Sequence, residues 1–454
     1  MYFFGLSPIK IGMRNNASRS NSVFKKLFLA SLPSKFIRRC FDLLGPAERR
    51  PPVITPVELI MGLVFHVLAG AGTLAEHVKT LTRKSVTESA LSQRRTSLAW
   101  PIFEMILAEG LRLKAREKKH PEAFYEGLRL CGVDGSLLSV ANTPQVKKSR
   151  LAKAKSRRGK AAFAKVGVAV LVELGLRNPI AAAIGPRQES EMVLSRRLLD
   201  KLPENSLLIA DRYYGVPVLL IGLKEMHPQG QREFLVRIRR RLQRRVRQCY
   251  PDGSALVEIR VGRKTLLVRE ITGQVRKGRR GWSRVRLWTS LLDWQKHPAS
   301  ELLALYAQRW EQETFYREFK VDLRSAPLLQ SHTPLTAAQE IAALLLAYAI
   351  LVDERIKAAQ IGEVPVLRIS FLKTLEAVRG LWQFLEVTDG LLDERGVRLA
   401  VRRTLRLIAE RALPKRRQRS CQRAVRQPVS SWPRLRKNTS VKGAAEYKIL
   451  VVTE

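Results

Sequence analysis

Cysteine and histidine are scarce in this chain, and neither residue type forms a recognisable site pattern. Among 4 cysteines and 6 histidines there is no CxxC pair and no HExxH motif. A zinc ribbon or a disulfide framework needs closely spaced cysteines, so neither is indicated. We therefore expect free thiols, as in a cytosolic protein, at Cys40, Cys131, Cys249 and Cys421.

Long apolar segments are also lacking. Lys10, Arg14 and Arg19 interrupt the first 30 residues, which therefore do not have the continuous apolar core of a signal peptide. The longest uninterrupted apolar run, Ile341–Val352, is shorter than the roughly 20 residues that span a bilayer. It predicts a buried helix, and we expect a cytoplasmic protein without a membrane span.

Acidic residues are the third shortage. Asp and Glu total 40 against 82 Lys and Arg, which gives a formal net charge of +42. So much positive charge destabilises a compact chain by self-repulsion unless a polyanion neutralises it. Nucleic acid is the expected partner, because the excess is spread along the chain rather than gathered in one membrane-binding segment.

Composition and periodicity divide the 454 residues into five regions. They are a basic N-terminal segment (1–50), a helical region (51–123), an α/β region (124–330), a second helical region (331–413) and a basic tail (414–454). The first helical region opens with a capping box, Thr55 to Glu58, and Thr87–Arg95 is predicted as a polar segment between helices. This region is either a DNA-binding domain or a packing module.

Strands alternate with helices in the α/β region, and acids follow two of the predicted strands. Asp134 ends a strand that begins at Leu128, and Asp211 ends the strand that begins at Ser206. This pattern is typical of an α/β sheet whose functional site lies at the strand ends.

Residues 229–295 interrupt the α/β pattern with alternating apolar and basic residues, which predicts an antiparallel β insertion. The segment Arg237–Arg245 is read as an arginine-rich strand whose apolar side chains face the core. Its outward cations are expected to follow a DNA backbone, the alternative being an ordinary solvated strand. The residues assigned to DNA contact are Arg237, Arg239 and Arg241.

A charged and phenolic set recurs at helical spacing after the insertion. Tyr306, Arg309, Glu313 and Lys320 fall within about 60° of arc on an ideal α-helix, which turns about 100° per residue. A carboxylate can hold a divalent metal, and cations and a phenol can bind phosphate oxygens. The set therefore favours phosphoryl chemistry on nucleic acid over the commoner solvated helix face.

Two-metal phosphoryl transfer needs several carboxylates around cations that lie about 3.5–4 Å apart. Asp134, Asp211 and Glu313 supply carboxylates from two strand ends and one helix. Oxygen ligands of this kind are those that Mg²⁺ prefers.

These motifs together resemble the bacterial insertion-sequence transposases of the IS-four family. The resemblance covers roughly residues 126–330 and rests on three motifs: Asp134-Gly-Ser, Asp211-Arg-x-Tyr, and the spacing of Tyr306, Arg309, Glu313 and Lys320. It implies an α/β ribonuclease H-like catalytic core with an antiparallel β insertion, flanked by helical N- and C-terminal regions. It also implies that Asp134, Asp211 and Glu313 bind two Mg²⁺ ions, with Mn²⁺ as a substitute. Tyr306, Arg309 and Lys320 would then grip phosphates at the transposon end.

Two tryptophans of the insertion, Trp282 and Trp288, are candidates for base stacking. Some members of the family place a tryptophan on the insertion, where it stabilises a flipped base during hairpin formation. Counted back from Glu313, that position is Val285 here. A core tryptophan is the alternative for both residues.

The sequence thus predicts a Mg²⁺-dependent transposase that cleaves the ends of its mobile element and joins them to target DNA. Its expected partners are double-stranded DNA, in the form of terminal inverted repeats and target DNA, and a second copy of the chain, with residues 334–413 as the expected contact. Nucleoid association in a bacterial cytoplasm would follow. A related nuclease without strand transfer and a non-catalytic DNA-binding relative or repressor remain as alternatives.

Overall fold

One ten-stranded mixed β-sheet lies at the centre of the structure, and helices cover both of its faces. The computed structural model describes residues 19–46, 50–149, 151, 155–156, 159–160, 162–186, 189–226, 231–239, 242–276, 282–324, 326–389 and 391–414. Cys421, the predicted basic tail beyond residue 414 and the first 18 residues lie outside them. The three other cysteines, Cys40, Cys131 and Cys249, are free thiols, as expected.

The N-terminal part of the described chain is helical. Its helices are α1 (Arg19–Ser31), α2 (Ser34–Leu44), α3 (Pro56–Ala69), α4 (Leu74–Thr82), α5 (Glu88–Ser97) and α6 (Trp100–Gly110). The predicted capping box at Thr55 and Glu58 is confirmed. The prediction of a polar segment at Thr87–Arg95 is wrong, because Thr87 caps α5 and its side chain accepts a hydrogen bond from the Ala90 N–H.

Seven strands and three helices follow in the first part of the α/β region. They are β1 (Phe124–Tyr125), β2 (Leu128–Val140), α7 (Pro144–Lys148), β3 (Lys155–Ser156), β4 (Gly159–Lys160), β5 (Ala164–Glu173), β6 (Asn178–Gly185), α8 (Glu191–Leu199), β7 (Ser206–Ala210) and α9 (Pro217–Met226). β3 and β4 form a separate two-stranded sheet. β2 was predicted to end at Asp134, but it continues through Gly135 to Val140 because its residues from Cys131 to Val140 pair antiparallel with β5.

The remaining strands extend the same sheet. They are β8 (Arg232–Arg237), β9 (Arg245–Cys249), β10 (Ala255–Val261), β11 (Lys264–Arg276) and β12 (Trp282–Thr289). The strand order is β6-β5-β2-β7-β8-β12-β11-β10-β9, with β1 beside β2. β7 is parallel to both β2 and β8, whereas every pair from β8 to β9 along this order is antiparallel.

The predicted arginine-rich strand Arg237–Arg245 is therefore wrong in its extent. β8 ends at Arg237 and belongs to the parallel part of the sheet, and β9 begins only at Arg245. The described residues between them form a connection. Phe234, Val236 and Ile238 are buried and Arg239 is exposed, as predicted, but Arg237 is only partly exposed and Leu235 is buried on the other face of the sheet.

The C-terminal part returns to helices, which are α10 (Ala299–Leu305), α11 (Trp310–Arg317), α12 (Pro334–Ile361), α13 (Phe371–Val387) and α14 (Glu394–Glu410). The predicted buried helix at Ile341–Val352 is confirmed as the centre of α12. α12 is long and apolar enough to cross a membrane, but 89% of its most apolar window is buried inside the protein. Helices α3 and α4, which meet at a bend of 116°, are together also long and apolar enough to cross a membrane. Burial of this kind is what the core helix of a globular protein shows.

Two layers of helices sandwich the sheet. On one face, α8 and α9 pack against alternate residues of β2, β7 and β8, including Val133, Leu208 and Val236. On the other face lie α10, α11 and a helical body in which α1, α3 and α6 share a hydrophobic core with α12 and α13. Alternation along the strands assigns even-numbered residues of β2, such as Leu130 and Leu138, to this second face.

Candidate active site

Asp134 of β2 and Asp211, which directly follows the neighbouring strand β7, are close enough for the charge of Asp211 to act on Asp134. β2 and β7 pair with Gly132 opposite Ile209, and Asp134 and Asp211 each lie two residues further on. Parallel strands are about 4.8 Å apart, so continuing this register brings the two carboxylates together. Both residues share the face of α10 and α11, because Leu130 and Ile209 point there.

The protein surrounds Asp134 with other acids. Its Oδ1 atom accepts a hydrogen bond of 2.9 Å from the Gly135 N–H. Burial, reinforced by the negative charges of Glu191 and Asp211, raises the pKa of Asp134 to about 7, against opposing effects of the Gly135 N–H and Arg309. Asp211 accepts a hydrogen bond of 2.7 Å from the Tyr213 N–H, which closes a turn directly after β7.

The segment with the four-residue signature is not a uniform α-helix. Tyr306–Arg309 is a 3₁₀ turn, Trp310–Arg317 is α-helical and Glu318–Leu323 is a π-helix. The prediction of one α-helical arc is therefore wrong in detail. A 3₁₀ turn aligns residues three apart, and a π-turn rotates the residues that follow it. The four side chains nevertheless reach the same region.

Arg309 connects the segment after Leu305 to Asp134 and Asp211, because its charge acts on both carboxylates. Its guanidinium forms a 2.8 Å ion pair with Glu313 and interacts with the charge of Asp211. The Tyr306 hydroxyl is buried and makes no hydrogen bond that meets standard geometry among the described residues. Burial and the charge of Asp211 raise the pKa of Tyr306 to about 12, although Arg309 and Arg237 oppose them.

Lys320 and Tyr316 attach the helix directly to β2. Lys320 Nζ donates a 2.9 Å hydrogen bond to Ser136 Oγ, two residues beyond Asp134. The Tyr316 hydroxyl donates a 2.6 Å hydrogen bond to the backbone carbonyl of Asp134. Burial, with the charges of Arg324 and Lys165, lowers the pKa of Lys320, and Asp134 acts in the opposite sense.

Gly132 allows this close approach of helix and strand. A Cβ atom at that position would lie 2.8 Å from Gln312 Oε1 and 2.7 Å from Leu174 Cδ2. Gln312 uses the space to donate a 3.2 Å hydrogen bond to the Val170 carbonyl of β5. A larger residue at this point would displace the Leu174 and Gln312 side chains, so glycine favours the close packing of α11 on the sheet.

Glu191 is an acid of this site that sequence reasoning missed. It is the first residue of α8, and its negative charge acts on Asp134. Its Oε1 atom accepts a 3.0 Å hydrogen bond from the Tyr214 hydroxyl. Glutamate is common in the first turn of a helix, so the sequence alone does not mark Glu191 as a site residue. Only its contact at Gly135, seen in the structure, does so.

In the part of the chain that the structure describes, no three acidic, histidine or cysteine side chains are placed to hold a metal as they stand. Arg309 holds Glu313 in an ion pair, and like-charged carboxylates repel each other at short range. Asp134 and Asp211 nevertheless offer neighbouring carboxylate oxygens. Glu191 approaches from the α8 face of the sheet, and Glu313 lies on α11 at the other face.

A cavity of about 690 Å³ lined by arginines adjoins the acids. Its lining residues are Arg212, Arg237, Ile238, Arg239, Arg244, Arg284 and Arg286. Glu270 accepts 2.7 Å contacts from both Arg244 and Arg286. Arg212, Arg237, Arg239 and Arg284 form no salt bridge within the described residues. The predicted DNA contact at Arg241 lies outside the described residues.

The structure does not support base stacking by Trp288. Its side chain is fully buried in the sheet, and its indole N–H donates a 3.0 Å hydrogen bond to Glu270. An aromatic ring that stacks on a nucleobase must expose one face, so Trp288 is a core residue that orients Glu270. Trp282 begins β12, and the placement of its side chain lies outside the described structure.

Comparisons with known proteins agree with this geometry. Residues 127–350 match the family described as transposase DDE domain. The chain is 26% identical over 343 residues to "Transposase InsG for insertion sequence element IS4" of Escherichia coli (strain K12), which covers 72% of this chain and 76% of that protein. It is 23% identical over 209 residues to "Putative transposase InsZ" of the same strain, covering 44% of this chain and 68% of that protein.

Proposed function

Because the chain belongs to the DDE transposases of the IS4 type, we propose that it binds the ends of its own mobile DNA element, cleaves them and joins them to target DNA. The observation that carries this proposal is the position of Asp134 and Asp211. Both lie just beyond the last paired residues of β2 and β7, and both interact with the charge of Arg309, which pairs with Glu313. A mixed sheet with one acid directly after β7 and another on β2, beyond its parallel pairing with β7, supports a ribonuclease H-like core.

The donor set at this site fits Mg²⁺. Asp134 and Asp211 offer carboxylate oxygens from separate strands, and Mg²⁺ binds through a few carboxylates while keeping several waters. Asp134 has acidic neighbours and a pKa near 7, as expected where a divalent cation belongs. Asp134 and Asp211 would hold the ions, and Glu313 would join them. When bound, two Mg²⁺ ions activate the attacking oxygen and stabilise the leaving oxygen; Mn²⁺ would act in the same way.

The cationic and phenolic residues hold the DNA strand in line with these acids. Arg309 and Lys320 bind phosphates at the transposon end, and the buried Tyr306 hydroxyl donates a hydrogen bond to a phosphate oxygen. A phosphate that engages Arg309 competes with Glu313 for its guanidinium, so binding of DNA releases Glu313 toward the two aspartates.

The proposed reaction has two steps at the same acids. In the first, a water oxygen forms a bond to the phosphorus at the element end, and the bond to the 3′ oxygen breaks, leaving a 3′ hydroxyl and a 5′ phosphate. In the second, that 3′ hydroxyl attacks a target phosphate and displaces the 3′ oxygen of the target strand. Phosphate contacts at Arg309 and Lys320 align both attacks.

The arginine-lined cavity continues the DNA path beyond Asp211. Arg212 follows Asp211 directly, and Arg237 and Arg239 extend the positive surface away from it. Six arginines line this cavity, and Glu270 pairs with two of them, Arg244 and Arg286. Phosphates of a DNA strand would neutralise this excess and release counterions.

Joining two element ends requires at least two copies of the chain, so a homodimer on DNA is part of the proposal. Exposed apolar side chains of α13 and α14, such as Phe384 and Leu399, support the expectation that residues 334–413 carry the contact. The protein would act on nucleoid DNA in the cytoplasm.

A strand-transfer assay tests the proposed function. The full chain is incubated with Mg²⁺, a donor fragment bounded by the element's terminal inverted repeats, and a supercoiled target plasmid. We expect donor ends joined covalently to the plasmid, and no product from a donor with scrambled ends. Cleaved but unjoined ends would indicate the related nuclease, and bound but uncut DNA would indicate the non-catalytic relative.

A further inference from the structure

The carboxylate of Glu191 lies against the backbone of β2 beside Asp134. A Cβ atom at Gly135 would lie 2.2 Å from Glu191 Cγ and 2.5 Å from its Cδ, so only glycine leaves room for this side chain. Glu191 therefore approaches from the α8 face of the sheet, whereas Asp134 lies on the α11 face. The two acids meet because β2 has no β7 partner beyond Gly132.

Both carboxylates converge on one backbone amide. The Gly135 N–H donates to Asp134 Oδ1 at 2.9 Å and also interacts with the Glu191 carboxylate. Asp211 is close enough to Glu191 for its charge to act on it. Three acids from three elements thus surround the same end of the sheet.

Tyr214 holds the Glu191 side chain in this position. Its hydroxyl donates to Glu191 Oε1 at 3.0 Å and lies 3.0 Å from Ser195 Oγ. Tyr214 and Ser195 are fully buried, so this arrangement is fixed by the core. Tyr214 also lies in the turn that follows β7, where its N–H donates a 3.1 Å hydrogen bond to the Asp211 carbonyl. The same turn therefore positions Asp211 and, through the Tyr214 hydroxyl, Glu191.

Glu191 is partly buried, and unlike several buried carboxylates it forms no ion pair with a cation among the described residues. Elsewhere Glu173 pairs with Arg129, Glu318 with Arg177, and Glu270 with Arg244 and Arg286. The chain has about twice as many cationic as anionic residues, yet the charge that acts on Glu191 is that of another acid, Asp211. Buried charges are normally paired or coordinate metals.

We propose that Glu191 is a fourth carboxylate of the catalytic centre, binding the divalent cation together with Asp134 and Asp211. The inference rests on the proposed function, because it assigns Glu191 to the cation of that same site. Tyr214 is then a positioning residue that fixes the orientation of the Glu191 carboxylate.

Metal binding by the full chain without DNA tests the inference. Mn²⁺ binding is measured by the loss of the free-ion electron paramagnetic resonance signal in wild type and four variants, Glu191→Gln, Glu189→Gln, Asp134→Asn and Tyr214→Phe. Glu191→Gln keeps the side-chain volume and can still accept from Tyr214, so its fold is preserved. Glu189→Gln is the matched control, because Glu189 lies one residue before the cap of α8 and pairs with Arg197. Asp134→Asn tests the site itself.

We expect Glu191→Gln to weaken Mn²⁺ binding on the order of 10-fold or more, and Glu189→Gln to bind as wild type does. Tyr214→Phe should weaken binding by a smaller factor. Wild-type binding by Glu191→Gln alongside weakened binding by Asp134→Asn would overturn this inference and leave the proposed function standing. Wild-type binding by Asp134→Asn would overturn both.

Discussion

Asp134 carries an ordinary side chain in an unusual setting, since acids rather than arginines surround it. Burial and the charges of Glu191 and Asp211 raise its pKa to about 7 from the usual 3.8. The folded protein therefore binds a proton at Asp134 that the unfolded chain releases near pH 4. Folding stability from this group is fully present below about pH 4 and is lost as pH rises to about 7.

This linkage predicts a pH-dependent gain in stability from Asp134→Asn. The amide cannot ionise, so the variant should gain thermal stability relative to the metal-free wild type as pH rises from 5 to about 7, with no further gain above that. Thermal unfolding at pH 5, 6, 7 and 8 with a chelator measures it. A difference independent of pH would contradict the raised pKa. Added Mg²⁺ should stabilise wild type at pH 8 and not the variant.

Arg309 gives a second prediction at this scale. Arg309→Ala should weaken binding to the element end and reduce the slope of log affinity against log salt by about one unit, since one phosphate contact is lost. Its ion pair with Glu313 is partly exposed, so unfolding free energy should change by less than about 1 kcal/mol. A salt titration and a urea melt distinguish the two effects. A large loss of stability with an unchanged slope would make Arg309 a structural residue.

At the scale of elements, the irregular helix after Leu305 is fixed by a buried ionic network. Arg177, at the turn between β5 and β6, pairs with Glu311 at 2.6 Å and with Glu318 at 2.7 Å. The Tyr348 hydroxyl of α12 donates to Glu318 at 2.6 Å. Glu318 is the first residue of the π-turn that brings Lys320 to Ser136, so this network sets the direction of Lys320.

Arg177→Met should therefore lower the stability of the protein and disturb the position of Lys320. Removing Arg177 leaves the buried charge of Glu318 with only the Tyr348 hydroxyl and a longer 3.9 Å ion pair to Arg355, and breaking a buried ion pair typically costs about 3–5 kcal/mol. The double variant Arg177→Met with Glu318→Gln removes that charge and should recover part of the stability. Urea unfolding measures both. A loss below about 1 kcal/mol in the single variant would show that this ionic network contributes little to the free energy of unfolding.

Individual elements also show how far sequence patterns reach. The strand that ends at Asp211 was predicted because it is a short apolar run closed by a turn residue. The continuation of β2 past Asp134 was not, since Gly135-Ser136 resembles a turn and only pairing with β5 makes it a strand. Glu191 and the buried position of Trp288 depend on contacts across the sheet, which no local pattern records.

At the scale of the molecule, one arginine-lined cavity includes Arg212, the residue next to Asp211. The parallel and antiparallel parts form one continuous sheet, so the arginine-lined cavity is held rigidly beside Asp211. N- and C-terminal helices share one core behind this sheet. Arg95 of α5 is part of that core, with bonds to Ser331 and to the Thr336 carbonyl, which supports packing rather than DNA contact for this residue.

Neutralising the cavity should weaken DNA binding without regard to sequence. The variant Arg237→Gln, Arg239→Gln, Arg284→Gln should lose affinity equally for element ends and for unrelated duplexes, because phosphate contacts carry no base information. The control removes the same charge from exposed positions of α14, at Arg395, Arg402 and Arg406, and should have a smaller effect. A loss confined to element ends would mean that the cavity reads bases.

The most direct test of the account is cleavage of an element end by Asp134→Asn, Asp211→Asn and Glu313→Gln, measured beside DNA binding for each variant. In the proposed function the acids hold cations and do not attract phosphates, so end binding should stay close to wild type. Cleavage should fall by several orders of magnitude, since a bound metal contributes several kcal/mol to the transition state. More than about a tenth of wild-type cleavage in any one variant, a deficit of less than about 1.4 kcal/mol, would remove that acid from the catalytic centre.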